Sequence, residues 1–594
     1  MINVLIIDSG VRNDHPLFSA LSISGFAYEK GEVINDFYDS FGHGTAIFNI
    51  IQKGCQTLDV NITNIKLSEI ENDIDEDDLI DVLRYVDKNL TVDVINLSLG
   101  INICERYEDL YEVCKKLSEK GVVLVSAFDN MGSISYPAAF DNVIGVTSKD
   151  ACRKITDFEY FNDPVITLGA KGGLNKLAWS TPDYIVLSGN SFACAYATVQ
   201  VIIFMAQGVK SYQELLNKFQ EIAIEVYPLK EVKEETIPFE MNRVALFPFN
   251  KEMHSLVRFH DLLSFEIVDV YDVKYSMSLG SQTTHMMKDN HVLKKDIKNI
   301  SSIDWEKIDT LILGHLDELS NLINKQDLME KVINEAIQNN KKIVAFDDVS
   351  NLIEKDNYAN VYFPKVTSEN VPVNRFGKLY HASKPILGIF GTSSRQGKFT
   401  LQLNLRKKLM AIGYKVGQIG TEPSSLLYGM DGVFPMGYNS TVSINGGETV
   451  RYINNMINNI CRNENDIIVI GSQSGTIAYD YGNISQIPIL QHEYLIGTQP
   501  DAIVLVVNPF DDIDYITRTI NYLEAVSEST VMAIVIFPMD LGNEWSQITR
   551  SKKRIDHEKL LKLKLDLSDQ FKIPCYSLCD KEIEDLVQEI IEFF

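Results

Sequence analysis

Along the first 205 positions, apolar residues fall in short β-branched runs separated by stretches with helical spacing. NVLIID (3–8), VNITNIKL (60–67), VDVINLSLG (92–100), GVVLVSAF (121–128) and NVIGVTS (142–148) read as strands. GTAIFNIIQKG (44–54), IDVLRYVDKNL (80–90) and a charged stretch ending at Lys120 read as helices. Strands alternating with helices predict a parallel sheet covered on both faces, an α/β class. The Lys- and Glu-rich stretch from Tyr212 to Glu240 predicts a closing helix and a linker. A second α/β series follows in RVALFPF (243–249), FEIVDVYDV (265–273), DTLILGHL (309–316) and KKIVAFDDV (341–349). After polar, Pro-bearing sequence, a third series runs through PILGIFGTSS (385–394), DIIVIGS (466–472), AIVLVVNP (502–509) and VMAIVIFP (531–538) to a C-terminal helix. The expected boundaries are 1–210, a linker at 211–241, 242–383 and 384–594, with no internal repeat and no low-complexity segment.

Composition narrows the function classes. The chain has 594 residues, 45% of them hydrophobic, and every long apolar stretch is broken by polar residues, so no membrane span or membrane partner is expected. MINVLIIDSG has no basic n-region and no small-residue cleavage site, and is expected to be a mature strand rather than a secretion signal. Eight cysteines, at 55, 104, 114, 152, 194, 461, 575 and 579, lack CxxC spacing and fit reduced thiols of a cytoplasmic protein. A net charge of −26 argues against a nucleic-acid partner while leaving room for a local nucleotide site. The acidic run Glu69 to Asp78 reads as a solvated helix start, with a metal or partner role as the alternative.

Three fragments carry chemistry in the first 205 residues. Asp8 ends an apolar strand and is followed by Ser9 and Gly10, at the sheet edge where catalytic groups of α/β proteins collect. Gly42-His43-Gly44-Thr45 opens a helix, and Ser188-Gly189-Asn190-Ser191 precedes the long apolar helix FACAYATVQVIIFMA. A serine hydroxyl needs a base to take its proton, and the base needs a carboxylate to orient it. The order Asp, His, Ser is that of subtilisin. DSGVRNDHPLF, FGHGTAIFNII, VINLSLG, LVSAFDN and SGNSFACAYA resemble successive signature segments of the subtilase family over residues 1–205. The resemblance implies a subtilisin-like domain with Asp8 as orienter, His43 as general base and acid, and Ser191 as nucleophile. It also implies that Ser98, Leu99 and Gly100 form an edge strand that pairs with an extended peptide substrate.

The chain departs from that family in four places. Asn190 stands where the family has Thr before the serine, Ala195 replaces a Pro, and no propeptide precedes the first strand. In an ungapped reading the oxyanion-hole Asn falls on Asp129, with Asn130 next to it. A carboxylate would repel the developing oxyanion, so either Asp129 is protonated or a one-residue shift lets Asn130 donate. A catalytically silent fold that only grips peptide is the alternative.

Gly391-Thr392-Ser393-Ser394-Arg395-Gln396-Gly397-Lys398-Phe399-Thr400 lies between a strand and a helix, where backbone N–H groups and the helix dipole face a phosphate. Its spacing is G-x5-G-K-x-T, so the Mg²⁺-holding hydroxyl moves past Phe399 to Thr400. ATP or GTP with Mg²⁺ is the expected cofactor, against a plain Gly-rich connection. With DIIVIGSQSG and QPDAIVLVVNP, this segment is similar to dethiobiotin-synthetase-like P-loop proteins. That resemblance implies a Rossmann-like domain at 242–383 and a P-loop domain at 384–594, and some members of that family act on N-acylated amino acids, including by racemisation. Asp466 precedes its strand, and Glu422 and Asp431 are candidate metal carboxylates, with solvated loop acids as the alternative.

The fusion is similar to maturation proteins of ribosomally made bacterial peptides. That likeness implies a precursor peptide as partner and leader removal as the reaction, with a homo-oligomer compatible. The competing reading is a peptide-binding scaffold whose second half carries ATP-dependent or racemase-like chemistry.

Overall fold

The structure is a computed structural model that describes all residues except 68–74, 164, 229–234, 275, 277, 317–324, 374–378, 438, 481, 483, 485–486, 541–552 and 579. It divides into two compact units, residues 1–231 with 373–383, and residues 232–372 with 384–594. Cys579 and positions 69–74 of the acidic run lie outside the described residues.

The first unit is built from β1 (Ile2–Asp8), β2 (Ser24–Glu29), β3 (Glu32–Ile34), α1 (His43–Gly54), β4 (Val60–Lys66), α2 (Glu76–Asn89), β5 (Val94–Leu97), α3 (Tyr107–Glu119), β6 (Val123–Ala127) and β7 (Val143–Ser148). It continues through β8 (Glu159–Phe161), β9 (Leu168–Ala170), β10 (Asn175–Ala178), β11 (Tyr184–Leu187), α4 (Asn190–Ala206), α5 (Tyr212–Ile222) and β12 (Glu225–Tyr227). Among the described residues, ten strands form one sheet in the order β12-β8-β9-β7-β6-β5-β1-β4-β2-β3, parallel except for the β2–β3 and β8–β9 pairs. Strand alternation explains the two layers of helices. Val4 and Ile6 pack with α1 and α4, whereas Leu5 and Ile7 pack with α2 and α3. The segment expected to be linker adds β12 to the sheet, in parallel with β8. Asp75 caps α2 by accepting from Asp77 N–H at 2.8 Å, which accounts for the described part of the acidic run. Residues 373–383, assigned from sequence to the second α/β series, cluster with this unit, and Tyr380 packs on the core layer of α2 and α3.

The second unit contains two parallel sheets. The first comprises β13 (Arg243–Phe247), α6 (Lys251–Arg258), β14 (Glu266–Asp272), α7 (Thr283–Met287), β15 (Ile297–Asn299), β16 (Thr310–Leu313), α8 (Lys325–Gln338), β17 (Lys342–Ala345) and β18 (Val361–Tyr362). The second comprises β19 (Ile386–Gly391), α9 (Lys398–Ala411), β20 (Val416–Gly420), β21 (Gly432–Val433), α10 (Gly447–Cys461), β22 (Ile467–Gly471), α11 (Ile489–Thr498), β23 (Ala502–Val507), α12 (Ile513–Ser527) and β24 (Thr530–Ile536). Two short strands, β25 (Met539–Asp540) and β26 (Lys553–Arg554), precede α13 (His557–Phe571), β27 (Cys575–Ser577) and α14 (Asp580–Phe593). Strand orders are β15-β14-β13-β16-β17-β18 and β21-β20-β22-β19-β23-β24-β27. The two expected domains share a core, because Leu403 of α9, Leu427 and Tyr428 pack with Val244, Leu246 and the α6 residues Met253 and Leu256. The Tyr428 hydroxyl reaches Ser255 Oγ at 2.9 Å. No helix among the described residues is long and apolar enough to cross a membrane.

One close approach sets the first unit's functional edge. A Cβ on Gly44 would stand 2.3 Å from the carbonyl oxygen of Gly10, so the start of α1 lies against the end of β1 with no room for a methyl group. Because backbone must move to admit it, Gly44→Ala is expected to cost about 1–3 kcal/mol. Thermal unfolding of the full chain should register this as a lowered first transition.

Candidate active site

The carboxyl end of β1 and the start of α1 bring Asp8 and His43 together in the first unit, and the start of α4 sets Phe192, the neighbour of Ser191, against His43. Asp8 Oδ1 lies 2.8 Å from His43 Nδ1, and both side chains are buried. A buried carboxylate on Nδ1 orients the imidazole and leaves Nε2 to act on a neighbour. Asp8 Oδ1 also accepts from Ser9 N–H at 2.8 Å. Ser191, the second residue of α4, donates its hydroxyl to the carbonyl of Ser98 at 3.0 Å, and Ser98 Oγ donates to the carbonyl of Ser191 at 3.0 Å. This reciprocal pair ties the end of β5 to the start of α4. The Phe192 ring packs against the His43 ring with centroids 5.9 Å apart.

Two residues that build this edge went unread in the sequence. Asp39 is fully buried and accepts from Ser9 Oγ (3.1 Å), Phe41 N (3.0 Å), Gly42 N (2.7 Å), Thr45 N (2.9 Å) and Thr45 Oγ1 (2.6 Å). It thereby satisfies the otherwise unpaired N–H groups where α1 begins. Burial pushes the Asp39 carboxyl above its ordinary range, against the opposing pull of the Thr45 and Gly42 hydrogen bonds. The available signal was an Asp three residues before Gly42. Asn190, noted in the sequence only as a departure from Thr, is a four-way tie. Its Nδ2 donates to the carbonyls of Phe128 (3.0 Å) and Asp129 (2.9 Å), and its Oδ1 accepts from Ser148 N–H (2.7 Å) and Thr147 Oγ1 (3.4 Å). A threonine hydroxyl has one proton to give and could not hold both carbonyls. Ala195, in place of Pro, is fully buried within α4.

The two oxyanion candidates differ in what their side chains hold. Asp129 turns its carboxylate back to Met131 N–H at 2.8 Å. Asn130 Oδ1 accepts from Asn190 N–H at 2.8 Å, and its Nδ2 lies 3.6 Å from where a Cβ on Gly189 would stand. The Asn130 amide is thus held beside the residue that precedes the Ser191 turn. Ser98, Leu99 and Gly100 are not an edge strand of the main sheet. They run past the carboxyl end of central strand β5, which pairs with β1 and β6, and Ile101 forms an antiparallel bridge with Tyr136. Two of the three carbonyls of this segment are engaged internally, Ser98 by Ser191 Oγ and Leu99 by Ser126 Oγ at 3.3 Å.

In the second unit the loop from β19 to α9 turns through left-handed residues Arg395 (φ 62°) and Gly397 (φ 77°) before Lys398 starts the helix. Lys398 is buried, and its Nζ donates to the carbonyls of Ser393 (2.7 Å) and Ser474 (2.8 Å). Burial pushes its pKa down to about 7, with Glu422 pulling upward and Lys251 adding to the fall. Gln396 folds inward, accepting from Ser393 N–H at 3.0 Å and donating to Thr392 Oγ1 at 2.6 Å. Gly391 ends β19, and Ser394 lies exposed in the turn. Thr392 donates to Asp511, another residue missed in the sequence, while Asn508 Nδ2 reaches Ser393 Oγ at 2.9 Å. Phe399 packs its ring on Tyr428 (5.7 Å), and Thr400 lies half-buried in the first turn of α9. Of the candidate carboxylates, Asp431 accepts from Gln418 N–H and Asp466 from Lys415 N–H. Glu422 instead acts electrostatically on Lys398. No group of three or more His, Cys, Asp or Glu placed to hold a metal occurs among the described residues. The seven described cysteines are free thiols, six of them buried.

Residues 2–211 match the profile described as the Subtilase family, and residues 376–587 match the one described as "Domain of unknown function (DUF1611_C) P-loop domain". The chain is similar to the "Halolysin-like extracellular serine protease Nep" of Natrialba magadii, 29% identical over 237 residues that cover 38% of this chain and 43% of that protein. It is also similar to the "Major intracellular serine protease" of Bacillus subtilis, 26% identical over 239 residues, covering 37% of this chain and 74% of that protein. The chain thus spans less than half the length of the first of these relatives. A DUF1611-family protein from Anabaena variabilis superposes with a TM-score of 0.40 at 14% identity, covering 59% of this chain and 99% of that one.

The Asn190 tie yields a graded expectation. Asn190→Ala leaves two carbonyls and an N–H without side-chain partners, at about 1–3 kcal/mol for each group that stays buried and unpaired. Asn190→Thr keeps one donor and should fall between the alanine variant and the parent. Unfolding midpoints of the three proteins, read with their rates of peptide hydrolysis, check that order.

Proposed function

We propose that this chain, which carries a subtilase-family domain at its N terminus and a DUF1611 P-loop domain at its C terminus, is a serine endopeptidase that removes the leader from a ribosomally made precursor peptide. The observation that carries the peptidase reading is the buried Asp8–His43 pair at 2.8 Å together with Ser191 at the start of α4. Ser191 attacks the scissile carbonyl, His43 takes its proton and returns it to the leaving amine, and Asp8 stabilises the imidazolium. Asn130 donates to the oxyanion, because Asp129 is committed to its own turn and a carboxylate cannot donate. The extended peptide lies along Ser98 to Gly100 through the groups that segment does not use internally. The leader-peptidase part rests on the fusion itself, since a protease and a ligand-binding unit on one chain are suited to one shared peptide. We place the reaction in the cytoplasm, as for the intracellular relative.

For the second unit we propose binding of ATP or GTP with Mg²⁺ at 391–400. The residues fit the group. Gly397 and Arg395 allow a turn that presents backbone N–H groups, Lys398 supplies charge at a helix start, and Thr400 or Glu422 would hold the metal. When bound, the nucleotide supplies a transferable phosphoryl group. Lys398 would exchange the Ser393 and Ser474 carbonyls for a phosphate.

A fluorophosphonate should label Ser191, and Ser191→Ala should abolish both labelling and peptide cleavage while the fold persists. Asn130→Ala should lower turnover by about 100-fold or more with little change in KM, whereas Asp129→Ala should not. A labelled Ser191→Ala variant, or equal effects at 129 and 130, would remove these assignments.

Nucleotide binding should carry a pH signature. Lys398 sits near pH 7 before binding, and an anion favours its charged form, so binding takes up a proton and affinity falls as pH rises above about 7. Calorimetry in buffers of different ionisation enthalpy measures the uptake, and Lys398→Ala should lose both affinity and uptake.

A further inference from the structure

The six-stranded sheet of the second unit runs third-second-first-fourth-fifth-sixth in chain order, so its topological switch point lies between β13 and β16. Ligands of open α/β sheets bind in the crevice outside the carboxyl ends of the strands at that point. Four side chains meet there. Asn250 follows β13 and donates from Nδ2 to the carbonyl of His315 at 3.0 Å. His315 follows β16, and its Nδ1 lies 2.7 Å from Asp347 Oδ1 beyond β17, with both side chains largely buried. Asn439, from the P-loop part of the unit, donates to the same Asp347 oxygen at 3.2 Å. After β13 the chain reads Pro248-Phe249-Asn250-Lys251, without the glycines that cradle a dinucleotide. The crevice is therefore built around an oriented imidazole rather than a pyrophosphate.

Two further observations connect this dyad to the P-loop. The carboxylates of Glu252 and Glu422 act on His315, and Glu422 also acts on Lys398. Beside Asp347 opens a cavity of about 720 Å³, within the range of about 300–1,000 Å³ usual for small ligands. Both sheets contribute to its wall, Asp348, Lys365 and Thr367 from one, Asn439, Ser440 and Ser443 from the other. Lys365 is paired with Asp348 at 2.7 Å, which leaves Asp347 as the net charge among the residues of the wall. Such a field disfavours an anionic acceptor.

We infer that the second unit is a phosphotransferase centre in which His315, oriented by Asp347, is the general base for a neutral or cationic hydroxyl-bearing acceptor bound at this crevice, where Asp347 joins the imidazole to the cavity. The inference rests on nucleotide binding at 391–400. His315 takes the acceptor's hydroxyl proton while that oxygen bonds to the γ-phosphorus. The bond from phosphorus to the bridging oxygen breaks, and the nucleoside diphosphate leaves with the electron pair. Burial works against charging His315, and Asp347, Glu252 and Glu422 together outweigh it, so its pKa lies above the ordinary imidazole value. A base of this kind becomes competent as pH rises through that value.

The test uses the full chain with Mg²⁺, ATP and, for binding, a non-hydrolysable ATP analogue, with water as the surrogate acceptor. Isotope-labelled histidine allows the ten histidines to be followed by NMR, His315 being identified by the peak lost in His315→Gln. The expected result is that the analogue shifts the His315 titration and that His315→Gln binds the analogue normally. The same variant should release phosphate from ATP about 100-fold more slowly or worse and lose the wild-type rise of rate with pH. Asp347→Asn should lower the titration midpoint of His315 without removing its peak. An unmoved His315 titration with the analogue bound, unchanged turnover in His315→Gln, or a wild-type protein that binds ATP without turning it over would each overturn the inference. A wild-type chain that binds no nucleotide would instead overturn the reading of the P-loop, and this inference with it.

Discussion

The carboxylate of Asp39 is the constraint on which the first unit's chemistry depends. Five donors converge on its two oxygens, and four of them come from Phe41, Gly42 and Thr45 around the start of α1. The fifth comes from Ser9, which also accepts from Gly44 N–H at 2.9 Å. The end of β1 and the start of α1 are thus held by one buried charge, and the Asp8–His43 contact follows from that clamp. Partial loss of such a network is costly, because each donor released inside the protein lacks water to replace its partner.

Much of this was legible along the chain. The short β-branched runs at 3–8, 92–100 and 121–128 identified strands, and the small residues around Asp8, His43 and Ser191 marked where side chains meet a turn. What was not legible depends on partners distant in sequence. Asn190 reads as a conservative polar exchange until its neighbours Phe128, Asp129 and Ser148 are in place, about 40 to 60 residues away. That Asp129 bonds back to its own loop while Asn130 reaches across to Asn190 is likewise something spacing alone does not encode. β12 was lost in a charged stretch because a three-residue edge strand carries too few positions for periodicity.

The second unit illustrates the same limit at larger scale. Each of its sheets was visible as a series of apolar runs. That they share a core was not, because Leu403 and Tyr428 look like ordinary amphipathic positions until they meet Met253 and Leu256. The shared core is what brings His315, from one sheet, into the electrostatic reach of Glu422 and, through it, Lys398, from the other. In sequence these residues are merely a His after a Gly and an acid after a Thr.

The reciprocal bonds between Ser98 and Ser191 have a bearing on idleness. A serine hydroxyl owns a single proton, and while that proton is given to the Ser98 carbonyl it is not available to a base. Re-aiming it forfeits a bond worth about 0.5–1.5 kcal/mol, a several-fold bias toward the parked orientation. Ser98 belongs to the segment proposed to receive the extended peptide, so whatever settles there disturbs the parking bond itself. Under the proposed peptidase function, this is a safety catch released by the cargo rather than by a separate inhibitor.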